Sequence, residues 1–494
     1  MNYVVELHNR PGVPLYQQVV DAIVALIQAG TLAPGEPLPS TRDMSSAIGV
    51  GRVTVIRAYE ELQMKGYLHT LPGFGTFVAK DLPAIKSQES SSSVDADKAP
   101  QRSIESFGLS TFGTNLNNIE YIGAMLDTPD AGCCPAENLP SKLWRELVSR
   151  HTSDQSATGG DVYDFDLLGY RPLREAIAEY LERARNVRCH PDQIAIFQAQ
   201  LQGIYLLSTL LIEQGTPVAM ENPGFSCVRA IFQSVGARVH GLPVDDSGLI
   251  TEELAQLEED CRLLFVAPSS QDPTGALLPK KRREEILQWA ARRNALVIED
   301  DIDWEYRYGS RSLSSMFGMD GGESVIYFGT FWKTLFPLTT VGFIVAPRGL
   351  MSTISRAKAL IEPALPMVEQ YALTDFIAQG HLERHIKRSR DTFEKRRRNF
   401  ILAFTKHFAG TAKIPKHGAG LHHLVQFDAS IAESKILHAA KEVGLPLTST
   451  KACYAGQLPS AQAPANEFIV SFPFIDSEAV EGQITQFKNA LGAE

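Results

Sequence analysis

Lys333 closes the run Gly329-Thr330-Phe331-Trp332-Lys333, and Asp300 stands upstream of it at the end of the apolar stretch Leu296 to Glu299. A lysine amine can condense with a carbonyl. A carboxylate at the end of a buried strand can hold a ring nitrogen protonated. A second chemistry is written near the N-terminus, in Arg52, Thr54 and Arg57. An arginine presented from the start of a helix can grip a guanine edge with two hydrogen bonds. Ser40 and Arg42 precede those residues, and Gly73 and Gly75 follow them around a tight turn.

The elements that must position these groups can be read from periodicity. Pro14 to Gln28 reads as a helix with Leu15, Val19, Ile23 and Leu26 on one face and Gly30 just past its end. Ser40 is a natural N-cap for a short helix from Thr41 to Ile48. After the turn Gly49-Val50-Gly51, a second helix runs from Arg52 to about Lys65, with Val55, Ala58, Tyr59 and Leu62 facing inward. Tyr67 to Val78 alternates around Pro72-Gly73-Phe74-Gly75, as a two-stranded wing would. Residues 81–104 are polar and Ser-rich and read as a flexible linker. Beyond them, short apolar runs (Ile194 to Phe197, Pro217 to Met220, Leu263 to Ala267, Leu296 to Glu299, Ser324 to Phe328) alternate with helical stretches. That rhythm predicts a mostly parallel sheet with helices on both faces. A basic helix from His385 to Arg398 and a small C-terminal α+β portion complete the chain.

Bulk properties narrow the function classes. The chain has 494 residues, which predicts more than one domain. Its net charge of −10 argues against non-specific coating of nucleic acid. Residues 1–80 carry six Lys/Arg and six Asp/Glu, so DNA contact there would depend on where a few arginines sit. The apolar runs are too short to span a bilayer and the first ten residues lack a signal core, so a cytoplasmic location is expected. The six cysteines show no metal-ligand spacing, and no metal site is expected.

The stretch from Leu38 to Val78 resembles the GntR-type winged helix nearly position by position. The resemblance implies a double-stranded DNA operator as partner. Ser40 and Arg42 would lie at phosphates, Arg52, Thr54 and Arg57 in the major groove, and Gly73 and Gly75 at the wing tip. Gly51 departs from the frequent Ser or Thr cap at that position.

Further matches are Pro172-Leu173-Arg174-Glu175, Glu221-Asn222-Pro223-Gly224-Phe225, Gln271-Asp272-Pro273-Thr274-Gly275, Ile298-Glu299-Asp300-Asp301, the Lys333 run, His381-Leu382-Glu383-Arg384 and Gly420-Leu421-His422. With these the chain resembles, over almost its whole length, the MocR/GabR family. Its members fuse a GntR-type winged helix to a fold-type I, pyridoxal phosphate-dependent transferase-like domain. The resemblance implies a winged helix at 1–80, a linker at 81–104, and an aminotransferase-like effector-binding and dimerisation domain at 105–494. It implies a homodimer that senses a small amine or amino acid. Lys333 would be the Schiff-base lysine of pyridoxal phosphate, Asp300 the partner of the pyridine nitrogen, and Phe225 the stacking ring. Asp272 would face the 3′-oxygen, and Thr330, Gln200 and Leu201 would line the phosphate side.

The departures from that family pattern are physical. Trp332 stands where a Ser is common, Thr340 where a phosphate-binding Arg is usual, and Ile302 where a Tyr is usual. Asp272 replaces an Asn and would repel a phenolate. No arginine follows Arg398, so the usual C-terminal clamp on a substrate carboxylate is missing, and Arg229 is the remaining candidate. A lost arginine–phosphate bond forfeits about 1.5–3 kcal/mol. The expectation is a regulator that keeps the cofactor on Lys333 without efficient transamination. A transaminase with an appended DNA module and a cofactor-free regulator are the alternatives.

Overall fold

A computed structural model describes residue 5 and residues 13–71, 73–82, 108–117, 133–153, 166–308, 313–414, 420–454 and 464–492. Most of the proposed linker, and Pro72 of the wing, lie outside the described residues. The chain forms two compact units, Met1–Ser103 and Ile104–Glu494.

In the first unit, helix α1 (Leu15–Gln28) packs against α3 (Arg52–Met64). The inward face of α1 is Val19, Val20, Ile23 and Ile27, whereas Leu15 is 53% exposed. The expected stripe through Leu15 and Leu26 is therefore rotated. Leu15 is the first helical residue, and Ile27 rather than Leu26 continues the line of Val19 and Ile23 at i+4 spacing. Helix α2 (Thr41–Ile48) begins at Ser40, whose Oγ accepts from the Asp43 N–H at 3.2 Å. It ends at Gly49 with φ +69°, a left-handed conformation that glycine adopts without a Cβ penalty. Strands β1 (Pro37–Leu38), β2 (Leu68–Leu71) and β3 (Gly75–Val78) form an antiparallel sheet in the order β1-β3-β2. The Tyr59 hydroxyl donates to the Pro39 carbonyl at 2.9 Å and ties α3 to the segment ahead of α2.

The second unit is built on eight strands: β4 (Ile194–Phe197), β5 (Pro217–Asn222), β6 (Arg238–Asp245), β7 (Gly248–Leu249), β8 (Leu263–Val266), β9 (Leu296–Asp300), β10 (Val325–Thr330) and β11 (Gly342–Val345). Their order is β4-β11-β10-β9-β8-β5-β6-β7. Pairs from β10 across to β6 are parallel, while β11 runs antiparallel between β10 and β4. Alternate residues feed two different cores. Ile196, Val297 and Tyr327 enter one, and Phe197, Ile298 and Phe328 the other. A sheet covered on both faces explains why these strands read as unbroken apolar runs. Strand β6 gave no such run because most of its residues are only half-buried beside the short edge strand β7.

The smaller C-terminal portion is a four-stranded antiparallel sheet of β12 (Ala412–Lys413), β13 (His423–Phe427), β14 (Leu447–Ser449) and β15 (Glu467–Val470). Its core includes Phe404 and Phe408 of the long helix His381–Phe408. That helix starts earlier and ends later than the expected His385 to Arg398, because apolar residues at i, i+4 spacing (Phe400, Phe404, Phe408) continue its buried face.

The topology brings the chemistry to one edge. Phe328 of β10 is opposite Asp300 of β9 in a parallel register, so β10 runs two residues past the end of β9 at the same edge. The loops carrying Phe225 and Asp272 follow β5 and β8, and Gln200 follows β4. This is the carboxyl edge at which open α/β sheets bind ligands.

Candidate functional site

The first site lies on the winged helix. Arg52, Val53 and Arg57 of α3 are exposed and Thr54 is half-exposed, all off the packed face formed by Val55, Ala58, Tyr59 and Leu62. The Arg57 guanidinium rests 4.0 Å above the Tyr16 ring. Val53, 79% exposed, was not singled out from the sequence. Its position off the apolar face was the available signal, and a thymine methyl suits it. Ser40 and Arg42 are exposed at the start of α2. The Ser40 hydroxyl also donates to the Asp43 carboxylate at 2.6 Å, so a phosphate there would have to compete with Asp43. Gly73 (φ +83°) and Gly75 (φ +114°) flank the exposed Phe74 at the wing tip with no other atoms within 4 Å of a built Cβ.

The second site surrounds Lys333. Helix Trp332–Leu335 starts directly after β10, and the Trp332 N–H donates to Thr330 Oγ1 at 3.1 Å. The buried His385 ring lies 2.8 Å from the Thr334 carbonyl and braces this turn from the long helix. Trp332 stacks on Phe336 with ring centroids 4.0 Å apart. Lys333 Nζ is 3.9 Å from Asp303 Oδ1. Burial opposes its ammonium form, but Asp303 and Asp272, with Cys133 and Asp300, outweigh it and raise its pKa above the usual lysine value.

Three aspartates follow one another here and do different things. Asp301 is saturated: Arg185 grips it through Nε at 2.6 Å and Nη2 at 2.8 Å, and the Tyr327 hydroxyl donates at 2.8 Å. Asp300 accepts from Gln200 Nε2 at 2.8 Å, and burial pushes its carboxyl up to about 7. Asp303 is 3% exposed, sits at φ +62°, and its Oδ1 has no hydrogen-bond partner. Half-exposed Phe225, Asp272, Thr330, Gln200 and Leu201 are placed at the same edge.

Two family descriptions match the chain: "Bacterial regulatory proteins, gntR family" over residues 15–78 and "Aminotransferase class I and II" over residues 147–461. The probable rhizopine catabolism regulatory protein MocR of Rhizobium meliloti is 30% identical over 98% of this chain and 95% of its own length. The chain belongs to the MocR group of helix-turn-helix transcriptional regulators. The pyridoxine biosynthesis regulator PdxR of Corynebacterium glutamicum is 28% identical over 85% of this chain and 84% of its own. Among solved structures, the α-aminoadipate aminotransferase LysN of Thermus thermophilus shares the fold, with a TM-score of 0.69 at 22% identity over 78% of this chain and 98% of its own.

The second unit of this MocR-type regulator thus has a pyridoxal phosphate-binding fold, but the residues present do not fit that cofactor. Gln200 Nε2 donates to Oδ1 of the Asp300 carboxylate, the expected partner of a pyridine nitrogen, at 2.8 Å. On the phosphate side, Gln198 Nε2 donates to Thr340 Oγ1 at 3.0 Å and Thr340 Oγ1 donates back to the Gln198 carbonyl at 2.7 Å. The Gln198 N–H is taken by the Glu362 carboxylate at 3.0 Å, and the Ala199 N–H by Gln202 Oε1 at 3.0 Å. A phosphate dianion would meet the Glu362 carboxylate beside the Gln198 N–H, and Thr340 where an arginine is usual. The sequence reading put Gln200 on the phosphate side, whereas its side chain reaches Asp300, the expected partner of the pyridine nitrogen.

Arg229, the candidate carboxylate clamp, donates through Nη1 to the Cys453 carbonyl at 2.9 Å and through Nη2 to that of Ala452. It works as a buried strut between helix Ser226–Ser234 and the 450–453 turn. The basic helix is likewise tied into the fold, with Arg388 on the Asn138 carbonyl and Arg396 on Glu137. No helix is long and apolar enough to cross a membrane, and no metal-holding cluster occurs among the described residues. Asp303 and Glu362 were missed by sequence reasoning. Only their hydrogen-bond surroundings single them out.

Proposed function

We propose that this MocR-type regulator acts as a cytoplasmic homodimer, in which residues 1–80 read a double-stranded operator and residues 105–494 dimerise and bind a small amine or amino-acid metabolite. Residues 81–104 would join the two. Arg52, Val53, Thr54 and Arg57 read bases, Arg42 and the Ser40 cap meet phosphates, and the glycine-flanked wing enters the neighbouring groove. The observation that carries the reading is the outward, unpacked face at the start of α3, in a chain whose other unit has a ligand-binding edge. Ligand binding regulates through unequal affinity for two arrangements of the dimer. Relatives named for rhizopine catabolism and pyridoxine biosynthesis support a small metabolite as effector.

The test is selection of a duplex site from a random pool, followed by binding titrations of the wild type and Arg52→Ala with and without candidate amines. Loss of the site in Arg52→Ala and a ligand-dependent shift in the wild type support the reading. An unchanged footprint in the variant would sink the α3 assignment. Retention of Lys333 beside Asp300 favours, as a second reading, a regulator or transaminase that still uses pyridoxal phosphate. An absorbance band with added cofactor that disappears in Lys333→Ala would favour it, and amino-group turnover would separate enzyme from sensor.

A further inference from the structure

The wing differs in chemistry from the helix it accompanies. Between Gly66 and Ala79 the sequence holds no Lys, Arg, Asp or Glu. The one imidazole there, His69, is half-buried and stacked on Phe77 with ring centroids 5.7 Å apart. The hairpin therefore has no lysine or arginine to set against a phosphate. Its tip carries apolar groups instead: Phe74 is 82% exposed and Leu71 47%. A phenyl ring left in water adds nothing to the fold, because burial is what makes such a ring stabilising.

The backbone is shaped to present that ring. The Phe74 N–H donates to the Leu71 carbonyl at 3.0 Å and closes the turn. Gly73, third in the turn, takes φ +83°, as a type II turn requires at that place. Gly75 follows at φ +114°. A Cβ at either glycine would meet nothing within 4 Å, so the backbone conformation, not crowding, calls for glycine. Phe74 thus stands between two residues without side chains, at the narrow end of the hairpin. The hairpin is also braced on the helix that carries Arg52 and Arg57. Gln63 of α3 donates to Thr70 Oγ1, which lies 3.0 Å from Thr76 Oγ1. The Ala79 N–H donates to the Tyr67 carbonyl at 2.8 Å across the base of the hairpin.

A duplex offers three kinds of surface to such a tip. Phosphates are held by charge and by N–H or O–H donors, and a phenyl ring has neither. Minor-groove base edges present acceptors and the guanine amino group, which a phenyl ring cannot answer. The stacked faces of the bases remain, and an apolar side chain reaches them by parting a base step from the minor-groove side.

We propose that Phe74 is a minor-groove wedge, which enters a pyrimidine–purine step beside the bases read by α3 and kinks the operator towards the major groove. This goes beyond, and rests on, the reading of the first unit as the operator-binding module. Unstacking costs least at such flexible steps, so the wedge adds sequence preference at a position that no hydrogen bond reads.

The experiment uses the full-length protein and the duplex it selects from a random pool. The bend is measured on circularly permuted fragments, and 2-aminopurine is placed at each pyrimidine–purine step beside the selected core. The wild type should bend the duplex by about 20° or more and raise the 2-aminopurine fluorescence at one step as the base unstacks. Phe74→Ala should lose that signal and most of the bend, and bind about tenfold more weakly. Phe74→Leu keeps an apolar wedge and should retain the bend. Phe74→Lys should recover affinity through a phosphate, with a steeper salt dependence and no bend. Wild-type affinity and bend in Phe74→Ala would overturn the wedge and leave the operator reading standing. So would a loss of affinity with the bend and the fluorescence signal intact. A changed oligomeric state in Phe74→Ala, with DNA binding unaltered, would also overturn it and assign the ring to a protein contact. Selection of no duplex by the wild type would overturn both readings.

Discussion

In the winged helix, the side chains proposed to meet DNA stand in solvent. Arg52 and Val53 project from α3 with no partner needed to hold the fold. In the Lys333 cleft the polar groups are mostly satisfied by one another: Gln200 by Asp300, Gln198 by Thr340, Asp301 by Arg185. Asp303 Oδ1, like the Tyr180 hydroxyl on the same cavity wall, lacks that closure. An exposed reading face can be recognised by its shape alone, because its energetics are settled when DNA binds. A cleft has to be read by asking which of its buried groups the protein has not already satisfied. The positions of Lys333 and Asp300 match an old chemistry, but the hydrogen bonds decide what the site can bind.

The comparison can be broken most sharply inside the aspartate run. Asp301→Asn removes the charge that neutralises buried Arg185, and it should destabilise the fold by about 3–5 kcal/mol in urea unfolding. Asp303→Asn should leave the stability within about 1 kcal/mol, since Oδ1 accepts no hydrogen bond to lose. Equal losses in the two variants would erase the distinction between a saturated and an unsatisfied carboxylate. On the winged helix, Arg52→Ala should weaken operator binding by about 1–3 kcal/mol without lowering thermal stability. Ser40→Ala should do the reverse, costing roughly 1 kcal/mol of stability through the lost cap, with a smaller change in DNA affinity. Tyr16→Ala, which removes the ring beneath Arg57, should reduce operator affinity by only about 0.5–1 kcal/mol.

A pH series probes the cleft unit by itself. Burial raises Glu221 and Glu305 to about 8 and Asp300 to about 7 in the folded chain. Their protonated forms are therefore favoured by folding. That contribution is complete below the unfolded carboxyl range near about 4 and is lost as pH rises through the folded values. The urea midpoint should fall between about pH 5 and about pH 9, and Glu305→Gln should flatten the fall. A midpoint that rises over this interval would mean that these carboxyls are solvated rather than buried.

Much of the architecture was legible because it is local. Ser40, the glycines at 49, 73 and 75, and the apolar spacing of α3 each act within a few residues, so α2, α3 and the wing could be read directly. The runs that became β4, β5, β8, β9 and β10 were visible because both sheet faces are covered. Strands β6 and β11 were not identified: β6 is a half-buried edge, and the placement of β11 between β4 and β10 is a matter of pairing, which no local pattern encodes.

The sequence by itself determined that this chain joins a DNA-reading module to an aminotransferase-like unit, and it placed Lys333 and Asp300 together, because motif order and hydrophobic periodicity are properties of the chain. Tertiary structure alone decided which acid is a strut and which lacks donors, that Gln200 spans to Asp300, and that Arg229 is spent on carbonyls. Those outcomes depend on contacts between residues far apart in sequence, where burial turns each made or missing hydrogen bond into a large energetic difference.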